Sequence, residues 1–385
     1  MSIPVPTRYD AIVVGARCAG AATAMLLARR GARVLLIDRD RPGTDTLSTH
    51  AMMRGGVMQL AAWGLLDRLR RTGAPRINST TFIYGDLEVP IEVRPAYGTD
   101  GLYAPRRHIL DKLMADAAAE AGAELKYGVA CVGLMWGAGD RVEGAWLRHG
   151  DADPVPVRAD IVIGADGRRS TLARLVNSRT LFAGRHATAT VYGYFDAVPA
   201  NGYRWYFAPN AAGGIIPTHD GQSCLFLSAR RELFQSELRG QGVPGMQHFA
   251  ETRLPELAAR MACGRATVHP RAFAGQTGYV RQSAGSGWAL VGDASYFKDP
   301  ATAHGITDAF RDAEILANAI GRGDPPDYPR RRNALCTRLF RVTEDIASFD
   351  WTLDRLRQHH MELNMAMKAN QAWIATNLHA VEAAA

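Results

Sequence analysis

The stretch Tyr9–Asp38, YDAIVVGARCAGAATAMLLARRGARVLLID, leaves the chain few ways to fold. YDAIVVG is a short apolar run, rich in β-branched residues, that ends at Gly15, which is the pattern of a buried parallel strand. AGAATAMLLARRGA continues as a helix, small and apolar on one face, with Gly31 as its stop. RVLLID is a second strand ending on Asp38. Strand, glycine turn, helix, strand and terminal acid in this order make a βαβ unit whose helix N-terminus can hold a phosphate. Gly15 permits the tight turn out of the strand, and Gly20 lets the helix pack closely on the sheet. Asp38 lies near the spacing at which an acid accepts hydrogen bonds from ribose hydroxyls. One position departs from the pattern: Arg17 stands where a second glycine gives the backbone its closest approach to a pyrophosphate. Both fold-forming glycines survive. Arg17 must therefore keep its Cβ clear of the phosphates, with its guanidinium along the cofactor or along the protein surface.

The remaining chain alternates between two textures. RGGVMQLAAWGLLDRLRRTG reads as a helix broken by glycine, and STTFIYGDLEVPIEV alternates like a hairpin. RRHILDKLMADAAAEAGAELKYG is an amphipathic helix followed by a strand. VACVGLMWGAGDRVEGAWLRHG gives two strands around a turn, and ADIVIGADG is another buried strand. From about residue 180 the strands ATATVYGYFDAV, GYRWYFAP, GGIIPT and SCLFLS become aromatic and alternating, the texture of an antiparallel sheet. Helices follow over roughly 230–262. GWALVGDAS then returns to a buried strand, HGITDAFRDAEILANAIG to a helix, and the tail from Tyr328 is helix-forming. The expected class is α/β: a Rossmann-like nucleotide-binding domain (1–75, 104–180 and 276–325), an inserted, mainly antiparallel β-sheet substrate domain (76–103 and 181–275), and C-terminal helices (326–385).

A net charge of +7 over 385 residues is dispersed, with Arg330–Arg332 the nearest approach to a basic run, which argues against a nucleic-acid partner. The five cysteines lie far apart with no metal-type pair, as expected of reduced thiols in a cytoplasmic protein. MSIPVPTRYD has no apolar signal core, and the apolar run Cys18–Ala28 is too short to span a bilayer, so no integral membrane segment is expected. No histidine pair has metal-ligand spacing in a helix, so no metal is expected.

Two further acidic-glycine landmarks follow the first: GADGRRS at Gly164–Ser170 and VGDASYFKDPATAHGITDAFRDAE at Val291–Glu314. Each alone is compatible with a strand-to-helix connection carrying a solvated acid. In order and spacing, the glycine loop, Ala165-Asp166-Gly167 and Gly292-Asp293 resemble the flavoprotein monooxygenases of the para-hydroxybenzoate hydroxylase type. DTLSTH (Asp45–His50) and KDPATAHGITDAFRDAE are similar to a bacterial branch of FAD-dependent oxidoreductases that touches the geranylgeranyl reductases. The likeness spans Tyr9 to about Gly321, and its motifs are more specific for FAD and the fold than for the reaction.

The resemblance implies that Gly15, Ala16, Arg17, Ala19, Gly20, Asp38 and the adjacent Arg39 hold the ADP half of FAD. Arg107, with Arg106 as the competing choice, would reach the FAD phosphates or ribityl chain, and the backbone at Val129 would touch adenine. Asp293 would bond the ribityl hydroxyls, Gly305 and Ile306 would present N–H groups to the flavin pyrimidine, and Asp166 would fix the loop beside the cofactor. His50 and His304 are the candidate catalytic residues, to orient a phenol or carbonyl or to shuttle a proton, with loop or helix capping as the alternative for each. Tyr192, Tyr194, Trp205 and Phe207 would line an apolar pocket or pack as core.

The reaction this implies is single-component. NAD(P)H reduces FAD, O2 adds to give a flavin C4a-hydroperoxide, and one oxygen atom enters a small aromatic or secondary-metabolite substrate, in a monomer or homodimer. Alkene reduction of the geranylgeranyl reductase type, and a flavin-dependent cyclase or isomerase without net redox turnover, are the alternatives, with a flavin-binding protein without turnover behind them. RWYFAPNAAGGIIPT lacks the Trp-x-Trp-x-Ile-Pro signature of halogenating relatives, which argues against halogenation.

Overall fold

The computed structural model describes residues 8–382; the first seven residues, which carry most of the N-terminal stretch read for a signal core, and the terminal alanines lie outside the described residues. The chain opens with β1 (Tyr9–Val14), α1 (Cys18–Ala28) and β2 (Val34–Asp38), then α2 (Arg54–Ala62), α3 (Leu66–Arg71) and the hairpin β3 (Ser79–Tyr84) and β4 (Leu87–Glu92). It continues with α4 (Arg107–Glu120), β5 (Glu124–Tyr127), β6 (Val129–Trp136), β7 (Val142–His149), β8 (Val155–Gly164), α5 (Thr171–Leu175) and β9 (Thr180–Ala183). Then come β10 (Thr188–Asp196), β11 (Tyr203–Ala208), β12 (Ala211–Pro217), β13 (Ser223–Arg230), α6 (Arg231–Glu237), α7 (Gly242–Arg253) and α8 (Pro255–Ala262). After several short strands the chain ends in α9 (Gly305–Gly321), α10 (Asp327–Ala347) and α11 (Leu353–Glu382).

The first sheet runs in the order 284–285, 288–290, β8, β1, β2, β5, with the β6–β7 pair joined through β8. Its central pairings, β1 with β2 and β8, β2 with β5, and β8 with 288–290, are parallel. α1 differs from the one-sided helix read from its sequence. It is buried on nearly every side, because α4 and α9 pack against it and its alanine-rich surface lets them come close. Three strand ends fall in register: Val14 pairs with Gly164, and Gly164 with Leu290. The turns after them carry Gly15, Ala165-Asp166 and Gly292-Asp293, so all three landmarks meet at the carboxyl edge of one parallel sheet.

The second sheet runs 265–266, β10, β13, β12, β11, β3, β4, with 271–273 also on β10. It is antiparallel except where β11 meets β3 in parallel. Every β10 residue from Thr188 to Phe195 is buried, since both faces of the strand are covered. Val191 and Phe195 pack on Phe234, Phe249 and Leu257 of α6–α8, whereas Tyr192 and Tyr194 join Trp205, Phe207 and the inner faces of α10 and α11. The four aromatic residues of the sequence reading thus share one face, and the C-terminal helices roof part of it.

α11 is fixed over that face by His360, whose ring lies among Phe82 (5.5 Å), Tyr84 (5.7 Å) and Phe207 (4.8 Å) and whose Nδ1 bonds the Tyr84 hydroxyl at 2.6 Å. Burial lowers the His360 pKa to about 3 from its ordinary 6.5. A histidine held neutral in this way contributes stability that is present above pH 6.5 and is lost as pH falls toward 3. The melting temperature should therefore fall more steeply between pH 6.5 and pH 4 in the native protein than in His360→Gln; parallel curves for the two would contradict this account of α11.

Candidate active site

The glycine loop shows why its two glycines are needed. Gly15 sits at φ +105°, and a Cβ there would lie 2.6 Å from the Ala165 carbonyl oxygen; one on Gly20 would lie 1.7 Å from the Gly15 carbonyl oxygen. Both backbone approaches join α1 to the strand ends, and neither leaves room for a side chain. Gly292 repeats the device, since its Cβ would meet the Ala19 methyl at 2.9 Å and so brings the third landmark against α1.

Asp38 is buried at the end of β2 and accepts from the Ala16 N–H and the Asp40 N–H, each at 2.8 Å, so it ties the loop to the second strand. Each carboxylate oxygen retains a lone pair for a further donor. Arg39 beside it is exposed. Val129 opens β6 next to the same corner, where the Gly128 N–H meets the Asp40 carbonyl at 3.3 Å.

The Arg17 side chain lies between Asp40 (3.1 Å) and Asp111 (3.9 Å), and its buried Nη1 makes no hydrogen bond to any described residue. Asp111 of α4 also accepts from the Cys18 N–H (3.3 Å) and from Arg107 (2.9 Å). Burial alone would lower the Arg107 guanidinium, but Asp111 outweighs it and holds the group firmly charged. The two competing arginines are thereby separated. Arg107 stands beside the loop helix, whereas Arg106 points the other way, lies 4.4 Å over the Tyr194 ring and bonds Gln222. Cys18 is buried against Asp111, and burial pushes its thiol well up, so it is no thiolate.

Asp166 is occupied by its own loop: Ser170 Oγ donates to it at 2.5 Å and the Thr171 N–H at 2.6 Å. Asp293 differs, because its carboxylate takes no hydrogen bond from the described residues while its carbonyl accepts the Tyr279 hydroxyl at 2.6 Å. Burial raises its pKa, opposed by Arg168, Lys298 and Arg107. Gly305 and Ile306 open α9, where the first-turn N–H groups lack intrahelical acceptors, and a Cβ on Gly305 would meet nothing within 4 Å. An open helix start, a free carboxylate and a phosphate-ready loop along one sheet edge are what a dinucleotide such as FAD requires.

The two histidines lie in different surroundings. His50 adopts φ +66°, is buried, stacks on Tyr194 at 5.5 Å and bonds its hydroxyl through Nε2, leaving Nδ1 without a partner. Burial, then Arg107 and Arg106, lower its pKa well below the ordinary value, so the ring is neutral. His304 caps α9 by position and gives Nδ1 to Asp308 at 3.0 Å, inside a buried ion cluster that motif reading missed. Lys298 pairs with Asp308, and Arg311 bonds Asp308 (2.7 Å), Asp312 (2.8 Å) and Asn370 (2.8 Å). Burial alone would raise Asp308, but Lys298, Arg311 and His304 outweigh it and hold its carboxyl far below the usual range. In the sequence Asp308, Arg311 and Asp312 share one helix face, which by itself reads as a solvated stripe and not as an interior cluster.

Comparison with known proteins assigns the class. Residues 8–322 match the model of a family described as FAD binding domain, and the chain belongs to that family; FAD is its cofactor. The chain is 27% identical over 348 residues (84% of this chain, 78% of the relative) to a menaquinone reductase of Mycolicibacterium smegmatis. It is 25% identical over 325 residues (82% and 80%) to a digeranylgeranylglycerophospholipid reductase of Methanothrix thermoacetophila. It is 29% identical over 339 residues (82% and 77%) to a 6-methylpretetramide 4-monooxygenase of Streptomyces rimosus. Among solved structures, a probable FAD-dependent monooxygenase of Pseudomonas aeruginosa, pqsL, shares the fold with a TM-score of 0.76 at 17% identity, over 94% of this chain and all of that one. The protein is an FAD-dependent oxidoreductase. Among the described residues no cluster could hold a metal, and no helix is long and apolar enough to cross a membrane.

The loop geometry ranks three substitutions. Gly15→Ala forces a methyl into the Ala165 carbonyl at a positive φ and should lose most FAD binding. Asp38→Ala frees two backbone donors and should weaken FAD by about tenfold or more, since a hydrogen bond to a charged group contributes about 1.5–3 kcal/mol. Arg17→Gly should keep FAD with a severalfold change. Fluorescence titration of the apoprotein with FAD checks the order, and complete loss of FAD in Arg17→Gly would refute it.

Proposed function

We propose that this enzyme is a NAD(P)H-dependent monooxygenase that inserts one oxygen atom of O2 into a small aromatic or secondary-metabolite substrate. The observation that carries this reading is the aromatic face beside the start of α9. Tyr192, Tyr194, Ala51 and Ala303 belong to one apolar cluster, and Ala303 immediately precedes His304 and Gly305. A flat ring fits such a wall. On it the His50–Tyr194 pair offers hydrogen-bonding chemistry suited to a phenol or carbonyl oxygen.

FAD, when bound, supplies the electron transfer. Gly15, Gly20, Arg17, Arg107, Asp38, Asp293, Gly305 and Ile306 would hold it, and the residues around it determine what reacts. Burial raises the Tyr194 hydroxyl and lowers His50, so at neutral pH the pair carries one phenolic proton and a neutral imidazole. Tyr194 then donates its one hydroxyl proton in a hydrogen bond to a substrate oxygen, with His50 Nε2 against the phenol oxygen to orient it. Arg106, over the tyrosine ring, favours negative charge on that oxygen. The roof of α10 and α11 excludes water from the aromatic side, which an oxygen-transfer reaction needs.

A second reading, reduction of a quinone or alkene, is favoured by the menaquinone reductase and digeranylgeranylglycerophospholipid reductase likenesses. The two separate in one experiment with the purified FAD-loaded enzyme. A monooxygenase shows NAD(P)H oxidation that substrate accelerates, with oxygen consumed in step, whereas a reductase turns over anaerobically. Under the monooxygenase reading Tyr194→Phe should keep FAD and lower kcat/KM at least tenfold, and an unchanged kcat/KM would remove the pair from the reaction.

A further inference from the structure

Behind the first turn of α9 lies a cluster of charges that packing alone does not account for. Lys298, Asp308, Arg311, Asp312 and Arg332 are all buried, and Arg311, Asp312 and Arg332 are fully so. Tyr296 lies in their midst, with Lys298 at 5.5 Å and Arg311 and Arg332 each at 5.9 Å from its ring. Three cations face two carboxylates. Arg332 uses carbonyl oxygens, those of Arg281 (2.9 Å) and Ser295 (3.5 Å), in place of a counterion. His304 adds no charge, since burial lowers its pKa. The cluster thus holds one positive charge in excess in a dry interior, where a lone charge is costly.

Its hydrogen bonding is incomplete as well. Arg311 Nε, Arg332 Nε, Asp312 Oδ2 and Thr307 Oγ1 are buried and have no hydrogen-bond partner among the described residues. Thr307 and Asp308 belong to the first turn of α9, the turn that starts at the open Gly305. An acid at this point would cancel the positive end of the helix if it stood alone. Lys298 and Arg311 neutralise it, and the excess charge then adds to the helix end instead of opposing it. Asp293, just past the strand end at Leu290, feels both Lys298 and Asp308.

We infer that this ion cluster sets the reduction potential of the bound flavin, with Lys298 and Asp308 as opposed positioning residues. The Lys298 ammonium favours the electron-rich reduced flavin, and the Asp308 carboxylate opposes it. The inference rests on the cofactor placement above, with the flavin pyrimidine at Gly305 and Ile306. It goes beyond the choice of reaction, because a monooxygenase and a reductase both have to take electrons onto the flavin.

The test uses the FAD-loaded enzyme and its variants Lys298→Met, Lys298→Arg and Asp308→Asn. The readouts are the midpoint potential of the flavin and its affinity for sulfite, an anion that adds to oxidised flavin more tightly where positive charge is near. Lys298→Met should lower the potential and weaken sulfite binding at least tenfold. Asp308→Asn should raise the potential and tighten sulfite at least tenfold, and Lys298→Arg should stay near the native values. A merely structural role would move the two charge-removing variants in the same direction. Unchanged values, or shifts of one sign in both, overturn the inference. If one variant fails to fold or to retain FAD, the sign of the shift in the other decides. Loss of fold or of FAD in both makes the cluster an anchor and also overturns it. Gly305→Ala separates the underlying placement: if it leaves FAD affinity and the visible spectrum unchanged, the flavin does not lie at that helix start. If it perturbs them while Lys298→Met and Asp308→Asn do not shift the potential, only the present inference falls.

Discussion

Everything in the site depends on three parallel strands ending together with α1 pressed onto their ends. The register Val14–Gly164–Leu290 brings three turns to one line, and the absence of a Cβ at Gly20, which would lie 1.7 Å from the Gly15 carbonyl oxygen, lets α1 sit close to them. At that separation the helix N-terminus, the Ala165-Asp166 turn and Asp293 lie along one edge. A wider helix would still give an α/β protein, but the glycine loop and Asp293 would no longer stand along one edge. Asp38 extends the line to the neighbouring strand by tying Ala16 to Asp40, so the cradle is held by backbone donors as well as by packing.

The substrate side is built on a different principle. Its sheet packs on two sides: Val191, Phe195 and Tyr206 cluster with α6–α8, and Tyr192, Tyr194, Trp205 and Phe207 cluster with α10 and α11. α10 and α11 lie beyond the segment that matches the FAD-binding family, yet they complete this wall with Leu339, Val342, Leu356 and Leu363. Asn370 of α11 reaches Arg311 at 2.8 Å, and Ile374 comes within 3.1 Å of where a Gly55 Cβ would stand. The C-terminal helix therefore touches α9 as well as the aromatic face. A framework of this kind can carry different reactions, because the strand ends and the apolar wall are built from separate segments.

The legible parts of the sequence were those where backbone geometry leaves one choice. Gly15, Gly20 and Gly292 are glycines because a Cβ has no room, and a requirement of that kind survives in a single sequence as a spacing. The FAD class, the α/β architecture and the aromatic face followed from such spacings and from strand alternation. Ion pairing across distant segments left no comparable trace. Asp308, Arg311 and Asp312 at helical spacing look like a solvated stripe, and only the packing of Lys298, Arg332 and Asn370 onto that stripe shows that it is interior. The choice between Arg106 and Arg107 was open for the same reason: adjacent residues at a helix start point to different sides, and sequence gives no direction.

Arg17 shows how magnitudes separate a tolerated residue from a used one. Its contact with Asp40 is part-exposed, and such pairs contribute roughly 0–1 kcal/mol, too little to explain an arginine in a loop that otherwise selects small residues. Its buried Nη1 has no partner among the described residues, and an unmet buried donor costs about 1–3 kcal/mol. Asp111 cannot meet that need, since it stands 3.9 Å away and already serves Cys18 and Arg107. An anion at the helix start answers it directly and leaves Asp40 to hold the rest of the guanidinium. The loop thus lacks the barest backbone approach of a glycine and carries instead a side-chain donor at the start of α1.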